Sequence, residues 1–178
     1  MPPAITNRPV TVGAAGGGGT FTLARKTTLA GTIGPTGTAK GATVTAIDRS
    51  AGPTAAPVTT TAGDDGAFTL PVDPGRSYQL IVEPTRDPSV AQPYARLVVG
   101  PTAVGSTRLD LAALALSRGR RIAGVVWRDG SVGVERALVQ VFCEASSSTC
   151  VDPGTPLAEA VAASDGSFQV VLPAASSP

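Results

Sequence analysis

The sequence of 178 residues contains no histidine and is poor in aromatic and charged residues. Without histidine, the Ser-His and Cys-His nucleophile pairs and the commonest zinc ligand are excluded. Charged residues make up 15% of the chain and the net charge is +1, whereas nucleic-acid binding requires clustered Lys and Arg. The nearest basic group, Arg118, Arg120 and Arg121, is interpreted as the solvated rim of a strand. We therefore expect a protein without catalytic residues, cofactor, metal or nucleic-acid partner.

Long apolar runs are missing as well. The longest, residues 109–116, is interrupted by Asp110 and has the length of a strand. A membrane-spanning helix needs about 18 apolar residues, so no membrane span is expected. The chain does not open with a positively charged segment followed by an apolar one, and we therefore expect no secretory signal in this sequence.

Cysteine occurs only twice, at Cys143 and Cys150. The Ser-rich segment 144–149 between them is typical of a turn, so a disulfide that closes this loop is the favoured interpretation. Two free thiols remain the alternative. A disulfide would indicate an oxidising compartment, and we expect an extracytoplasmic protein, either secreted or at the cell surface.

The chain repeats itself. The spacing between matching segments grows only in the intervening loops, where insertions are tolerated, so two tandem copies are the simplest explanation. The matching segments are 21–33 with 114–126, 42–47 with 137–142, and 65–68 with 165–168.

Each copy has the pattern of short strands separated by turns. Apolar residues alternate with polar ones in 42–46 and 78–82, which is the period of a half-buried strand. The chain has 21 glycines and 16 prolines, which interrupt these runs, and no helical period of useful length is present. We predict an all-β fold of tandem, small antiparallel β-sandwiches of the immunoglobulin-like or transthyretin-like kind. Two Asp-Gly pairs predict hairpin turns, because glycine takes the positive-φ position; they are Asp65-Gly66 and Asp165-Gly166.

Several motifs of the first copy identify a family. They are Leu29-Ala-Gly-Thr-Ile, Gly41-Ala-Thr-Val, Asp65-Gly66-Ala-Phe68-Thr-Leu-Pro71 and Asp73-Pro-Gly75-x-x-Tyr78-x-Leu-x-Val82. Together they resemble the carboxypeptidase regulatory-like domain, and the resemblance extends more loosely over 122–173. It implies a transthyretin-like (prealbumin-like) β-sandwich. Domains of this family occur beside peptidases, on receptors, and in strings on bacterial surface proteins. The resemblance does not imply peptidase activity, because the motifs consist of turn and core residues.

We divide the sequence into residues 1–20, 21–113 and 114–178. The first is an extension that resembles the tail of a preceding repeat, since Arg8–Gly13 is similar to Arg96–Gly100. The second is a complete β-sandwich, and the third is an incomplete one. The third unit lacks counterparts of three apolar segments of the second: Tyr78–Val82, Leu97–Val99 and Leu109–Leu111.

An unfinished sandwich has an open strand edge, which recruits other strands. One hypothesis is that the N-terminal strand around Val10 and Val12 completes the last unit of the next molecule, giving head-to-tail fibres. Three alternatives remain open. The chain boundary cuts a repeat, the shortened sandwich is self-sufficient, or the N-terminal strand folds back within its own chain.

The leading functional prediction is a non-catalytic structural or interaction module of a bacterial surface protein or extracellular assembly, with protein partners that include itself. The alternative is an accessory β-domain that binds carbohydrate or protein. Trp127 is the residue on which carbohydrate stacking would depend, although packing in the core or at the rim is favoured for it.

Overall fold

The computed structural model describes residues 25–37, 39–50, 55–85, 93–147 and 150–174. Within these ranges the chain forms strands and turns, and no residue is helical. The all-β fold class predicted from the sequence is therefore confirmed. The strands are β1 (Thr27–Gly34), β2 (Thr43–Asp48), β3 (Val58–Thr61), β4 (Ala67–Val72), β5 (Arg76–Glu83), β6 (Leu97–Val104), β7 (Leu109–Asp110), β8 (Leu114–Ala115), β9 (Gly119–Val125), β10 (Trp127–Arg128), β11 (Val132–Gly133), β12 (Leu138–Val141), β13 (Ala158–Val161) and β14 (Ser167–Pro173).

Two four-stranded sheets form the N-terminal half, which we define as residues 25–116. One sheet has the order β4-β1-β7, with β8 also pairing with β1, and the other has the order β3-β2-β5-β6. Alternate side chains point inward, as in β4, where Phe68, Leu70 and Val72 are buried and the residues between them are exposed. Buried residues of both sheets form one apolar cluster, so the sheets pack face to face as a sandwich.

The C-terminal half, residues 117–174, contains smaller sheets. Its described strands form three separate antiparallel pairs: β9 with β14, β12 with β13, and β10 with β11. Two of these pairs repeat the pairing of strands in the N-terminal half, and their registers allow the two halves to be compared residue by residue.

The pair β9–β14 corresponds to β1–β4. Gly31 lies opposite Phe68 in the first pair, and Gly124 lies opposite Phe168 in the second. In both cases the aromatic ring lies over the glycine: a Cβ atom would be 3.0 Å from the Phe68 ring at Gly31 and 2.7 Å from the Phe168 ring at Gly124. The ring therefore occupies the space that a larger residue at either glycine would need.

The pair β12–β13 corresponds in the same way to β2–β3. Beside β2, the amide of Ala62 donates a hydrogen bond to the carbonyl of Ala42 at 2.8 Å. Beside β12, the amide of Ala162 donates to the carbonyl of Ala137 at 2.9 Å. The segments that match in sequence thus adopt matching local structure.

The two Asp-Gly turns differ from the expected hairpins in what they connect. Gly66 and Gly166 have φ values of 79° and 80°. Asp65 and Asp165 each accept a hydrogen bond from the amide two residues further on, at 2.9 Å in both turns. However, β3 and β4 belong to different sheets, so the first turn forms a corner of the sandwich rather than joining paired neighbours. The dipeptide specifies the turn, whereas the destination of β4 depends on its pairing with the distant β1.

The segment at the junction completes the N-terminal half. Leu114–Ala115 pairs in parallel with Ile33–Gly34, and Leu116 joins the buried cluster of that half. The sequence division begins the last unit at residue 114, whereas the structure has residues 114–116 packed against the preceding sheets. The chain then passes directly into β9 at Gly119.

Candidate functional site

The large apolar side chains exposed to solvent are concentrated in the C-terminal half. In the described part of the chain they all fall between residues 122 and 161. Exposed apolar side chains in such number mark a part of the surface that is available for contact with another element. These residues are Ile122, Val125, Trp127, Val132, Leu138, Phe142, Val151 and Val161.

Equivalent core positions of the two halves differ in exposure. Leu29 and Ile122 each lie two residues before the glycine of their strand, yet Leu29 is fully buried and Ile122 is 46% exposed. Their cross-strand partners, Leu70 and Val170, are both buried. Leu29 shares its buried cluster with Leu80 of β5. Among the described strands of the C-terminal half, none takes the place of β5, so the face around Ile122 remains uncovered.

One edge of β12 is open because, among the described strands, none lies beside it as β5 lies beside β2. In the N-terminal half β2 lies between β3 and β5, whereas within the described ranges β12 pairs with β13 alone. The amide of Arg49 donates to the carbonyl of Ser77 at 2.8 Å, which identifies the residues of β2 that bond to β5. Hydrogen-bonded pairs alternate along an antiparallel ladder, so every second residue of β2 bonds to β5. The counterparts of these residues on and just after β12 are Leu138, Gln140 and Phe142, whose backbone amide and carbonyl groups therefore point to the side of β12 that has no neighbour among the described strands. We call this side of the strand the open edge of β12.

A disulfide between Cys143 and Cys150 closes the loop that follows β12. Their Cα atoms are 5.5 Å apart, and within the loop the amide of Ser147 donates to the carbonyl of Glu144. Cys143 Sγ also lies 3.7 Å from the carbonyl oxygen of Asp152. The disulfide thus restrains the segment that next contacts the N-terminal half.

A polar network centred on Asp152 joins the two halves. Asp152 Oδ2 accepts hydrogen bonds from Thr155 Oγ1 at 2.6 Å and from Gln79 Nε2 at 2.9 Å. The Arg49 guanidinium donates to the same oxygen and to Gln79 Oε1. Gln79 is fully buried and Thr155 nearly so. The hydrogen bond from Thr155, followed by those from Gln79 and the Gly154 amide, lowers the pKa of Asp152.

Arg96 forms a second connection between the halves. Its guanidinium donates to Glu83 of the N-terminal half and, at 2.7 Å, to Glu159 of β13. A third bond, of 3.0 Å, goes to the carbonyl oxygen of Pro156. The Arg96 side chain is only 7% exposed, so these three acceptors replace the water that its charge would otherwise bind.

A cleft of about 720 Å³ lies beside this ion pair, between the two halves. Its two carboxylates, Glu83 and Glu159, both accept hydrogen bonds from Arg96, which is the arrangement of a structural ion pair. The cleft is lined by Gly41, Thr43, Thr45, Ile81, Glu83, Pro84, Thr85, Arg96, Gln140, Pro156 and Glu159.

The other residues singled out from the sequence lie as follows. Val10 and Val12, the candidate self-assembly strand, lie outside the described residues. Trp127 begins β10 and is 54% exposed. From the basic trio, Arg118 lies over the Tyr94 ring, 4.3 Å from the ring centroid.

Sequence reasoning missed the contacts that join the halves. The Asp152-Pro-Gly segment has a composition that is typical of a turn, and Arg96 and Thr155 are residue types that occur on ordinary surfaces. One signal was available: Gln79 lies within the apolar strand Tyr78–Val82. A polar side chain at such a position needs a partner when another element covers it.

Within the described ranges, no group of three or more Asp, Glu or Cys side chains is arranged to hold a metal ion. In the same part of the chain, no helix has the length and apolar character required to cross a membrane. The chain matches no protein-family model, and comparison with curated proteins finds no significant match.

Proposed function

We propose that the protein is a non-catalytic structural and interaction module whose partners are proteins, including further copies of the same chain. The observation that carries this proposal is the open edge of β12 together with the exposed apolar residues between 122 and 161. Unpaired strand edges bind other strands through backbone hydrogen bonds, and apolar side chains beside them add affinity.

The proposal includes a place in a bacterial surface protein or another extracellular assembly. The Cys143–Cys150 disulfide supports an extracytoplasmic location, because disulfides persist in oxidising compartments. The face-to-face sheets of the N-terminal half are compatible with the carboxypeptidase regulatory-like family that the sequence resembles. Membership of that family is part of the proposal.

The mode of self-association is strand complementation. A strand around Val10 and Val12 of one molecule adds to the C-terminal half of the next. Because donor and acceptor are different surfaces, the contact is heterologous and produces fibres unless the rotation closes a ring.

Light scattering and negative-stain imaging of the purified chain test this mode. We expect a ladder of multimers that disappears on deletion of residues 1–13 and in the double variant Val10→Asp, Val12→Asp. Thr11→Asp is the matched control, since it adds the same kind of charge to the opposite face of the strand, and its multimers should persist. A monodisperse monomer at all concentrations would contradict self-association, and so would multimers that tolerate the Val10 and Val12 substitutions.

Carbohydrate binding is the second candidate, favoured by the exposure of Trp127. An indole ring that projects into solvent offers a stacking surface for a sugar. Binding on a glycan array that is abolished by Trp127→Ala would support this function. Equal signals from the wild type and the Trp127→Ala variant, or no signal from the wild type, would exclude carbohydrate binding at Trp127.

A further inference from the structure

We propose that the open edge of β12 is a binding site for an extended peptide with alternating apolar residues, which adds antiparallel to β12 as β5 adds to β2. The inference rests on the proposed function, since it requires that the C-terminal half accept a strand. It goes further by specifying the direction, the register and the side-chain pattern of that strand.

The N-terminal half shows what covers such an edge. In the antiparallel ladder between β2 and β5, Leu80 lies opposite Ala46 and Val82 opposite Val44, and all four side chains are fully buried. Tyr78 continues the same face of β5 and is also buried. The occupant of this position is thus a strand with an apolar residue at every second position.

Transferred to the C-terminal half, the same register places the apolar residues of the peptide beside Val139 and Val141. These valines are the counterparts of Val44 and Ala46, and both are half-buried. On their other side they lie opposite Ala160 and Ala158 of β13, so this face of the strand pair is apolar. Cross-strand neighbours share a face of the sheet, and each aliphatic side chain added there removes apolar surface from water.

The peptide amides that point toward β12 must be free to donate hydrogen bonds to it. The bond from the Arg49 amide to the Ser77 carbonyl fixes the alternation along β5. It follows that the amides of Gln79 and Ile81 point toward β2, whereas those of Tyr78 and Leu80 point away. A peptide with the sequence of residues 76–83 should use the same two amides on β12.

Fluorescence anisotropy with a labelled synthetic peptide of residues 76–83 tests the site, both on the full chain and on the variant lacking residues 1–13, in which no donor strand of a neighbouring molecule can occupy the edge. We expect saturable binding. N-methylation of the peptide at Gln79 and Ile81 should weaken binding by about tenfold or more, because two ladder bonds are lost. N-methylation at Tyr78 and Leu80 is the matched control with identical composition, and it should leave the affinity within about threefold of the parent peptide.

Hydrogen exchange of the complex locates the peptide. Protection should appear at the amides of Leu138, Gln140 and Phe142. Three results would overturn the inference: no binding of millimolar peptide to the variant lacking residues 1–13, equal binding of the two methylated peptides, or protection confined to residues 43–48 of β2.

The two proposals fail separately. If the full chain forms multimers that require residues 1–13 but the variant lacking those residues, whose edge no donor strand can fill, does not bind the peptide, self-association uses another surface and the β12 site is wrong. If the peptide binds as described but the chain stays monomeric, the β12 site stands and head-to-tail assembly is wrong.

Discussion

The two halves of the molecule share local structure and differ in closure. Both contain an aspartate-glycine turn with positive φ at the glycine, and in both a phenylalanine ring lies over a glycine of the adjacent strand. Yet the N-terminal half buries its apolar residues in one cluster, whereas the C-terminal half exposes eight large ones within the described ranges. Local sequence therefore determines turns and strand pairs, while burial depends on the strands that cover them.

The largest effect should come from truncating equivalent core residues. Leu29→Ala should lower the free energy of unfolding by about 2–5 kcal/mol, because it leaves a cavity in a closed core. Ile122→Ala should cost about 1 kcal/mol or less, since nearly half of this side chain is already in water. Urea unfolding followed by circular dichroism measures both. Equal losses would show that Ile122 is as well covered as Leu29.

Removal of the disulfide should act on the C-terminal half alone. Replacing Cys143 and Cys150 by serine frees a short loop, and loop entropy predicts a loss of about 2–3 kcal/mol. Hydrogen exchange resolves the two halves, and protection should fall in β12 and β13 while β2 and β5 keep theirs. A matching fall in β2 and β5 would show that the halves unfold as one unit.

Asp152→Asn should weaken the contact between the halves without unfolding either one. The carboxylate that accepts bonds from Thr155, Gln79 and Arg49 loses its charge, and the expected cost is about 1–2 kcal/mol. The control is Asp129→Asn, since the Asp129 side chain is 89% exposed. Amide exchange at Thr155 should rise in the first variant and stay unchanged in the control. Unchanged exchange in both would exclude a role of Asp152 in docking.

Acid should separate the halves through the same carboxylate. Hydrogen bonds, first from Thr155 and then from Gln79, lower the pKa of Asp152 below its ordinary value of 3.8. A lowered pKa means that the stabilisation is complete above that ordinary value and is lost as the pH falls through the pKa of the folded state. The protection factor of the Thr155 amide, measured from pH 6 downward and corrected for the intrinsic exchange rate at each pH, should therefore fall below about pH 4 in the wild type.

The Asp152→Asn variant supplies the comparison for this titration. The pKa of Asp165 is also lowered, by hydrogen bonds from Ser167, and that carboxylate titrates in both proteins. Only the acid-induced change at the Thr155 amide that the wild type shows and the Asp152→Asn variant lacks is due to Asp152. Identical pH profiles for the wild type and the variant would contradict the assignment.

The smallest effect is expected at Trp127. More than half of this side chain is in water, so Trp127→Ala should change the free energy of unfolding by no more than about 0.5 kcal/mol. The emission maximum of the wild type should be that of a solvated indole. A blue-shifted maximum that moves red on dilution would instead report burial of Trp127 in a multimer.

Much of the fold could be predicted from the sequence because its signals are local. The alternation in 78–82 marks the strand β5, and Asp65-Gly66 marks a tight turn. The partner sheet of the next strand was not predictable from that turn, since the ladder between β4 and β1 brings together residues far apart in the chain. The same reason applies to residues 114–116, whose sequence matches the start of the first copy while their parallel pairing with the distant β1 packs them against the N-terminal half.

Some features of the candidate site could likewise be predicted from the sequence, and others could not. The missing counterparts of three apolar segments predict an uncovered face in the last unit, and in the structure Ile122 is 46% exposed; that the last unit is an incomplete sandwich stays a prediction. The contacts of Arg96 and Asp152 were not predictable, because each depends on partners more than sixty residues away and on types that occur throughout ordinary surfaces. Val10 and Val12 lie outside the described residues, so their part in assembly stays a prediction.

The ion pair of Arg96 also bears on how a chain with two similar halves avoids folding incorrectly. Because β14 carries the same turn and the same phenylalanine as β4, either strand has the pattern to pair with β1. Neighbouring repeats of this kind are prone to exchange equivalent strands during folding. Arg96 is 7% exposed and donates to Glu83 in the N-terminal half and to Glu159 in β13. An arrangement that moved β13 away from Arg96 would deprive the guanidinium of Glu159, so this ion pair favours the order of strands in which the two halves are docked as they are here.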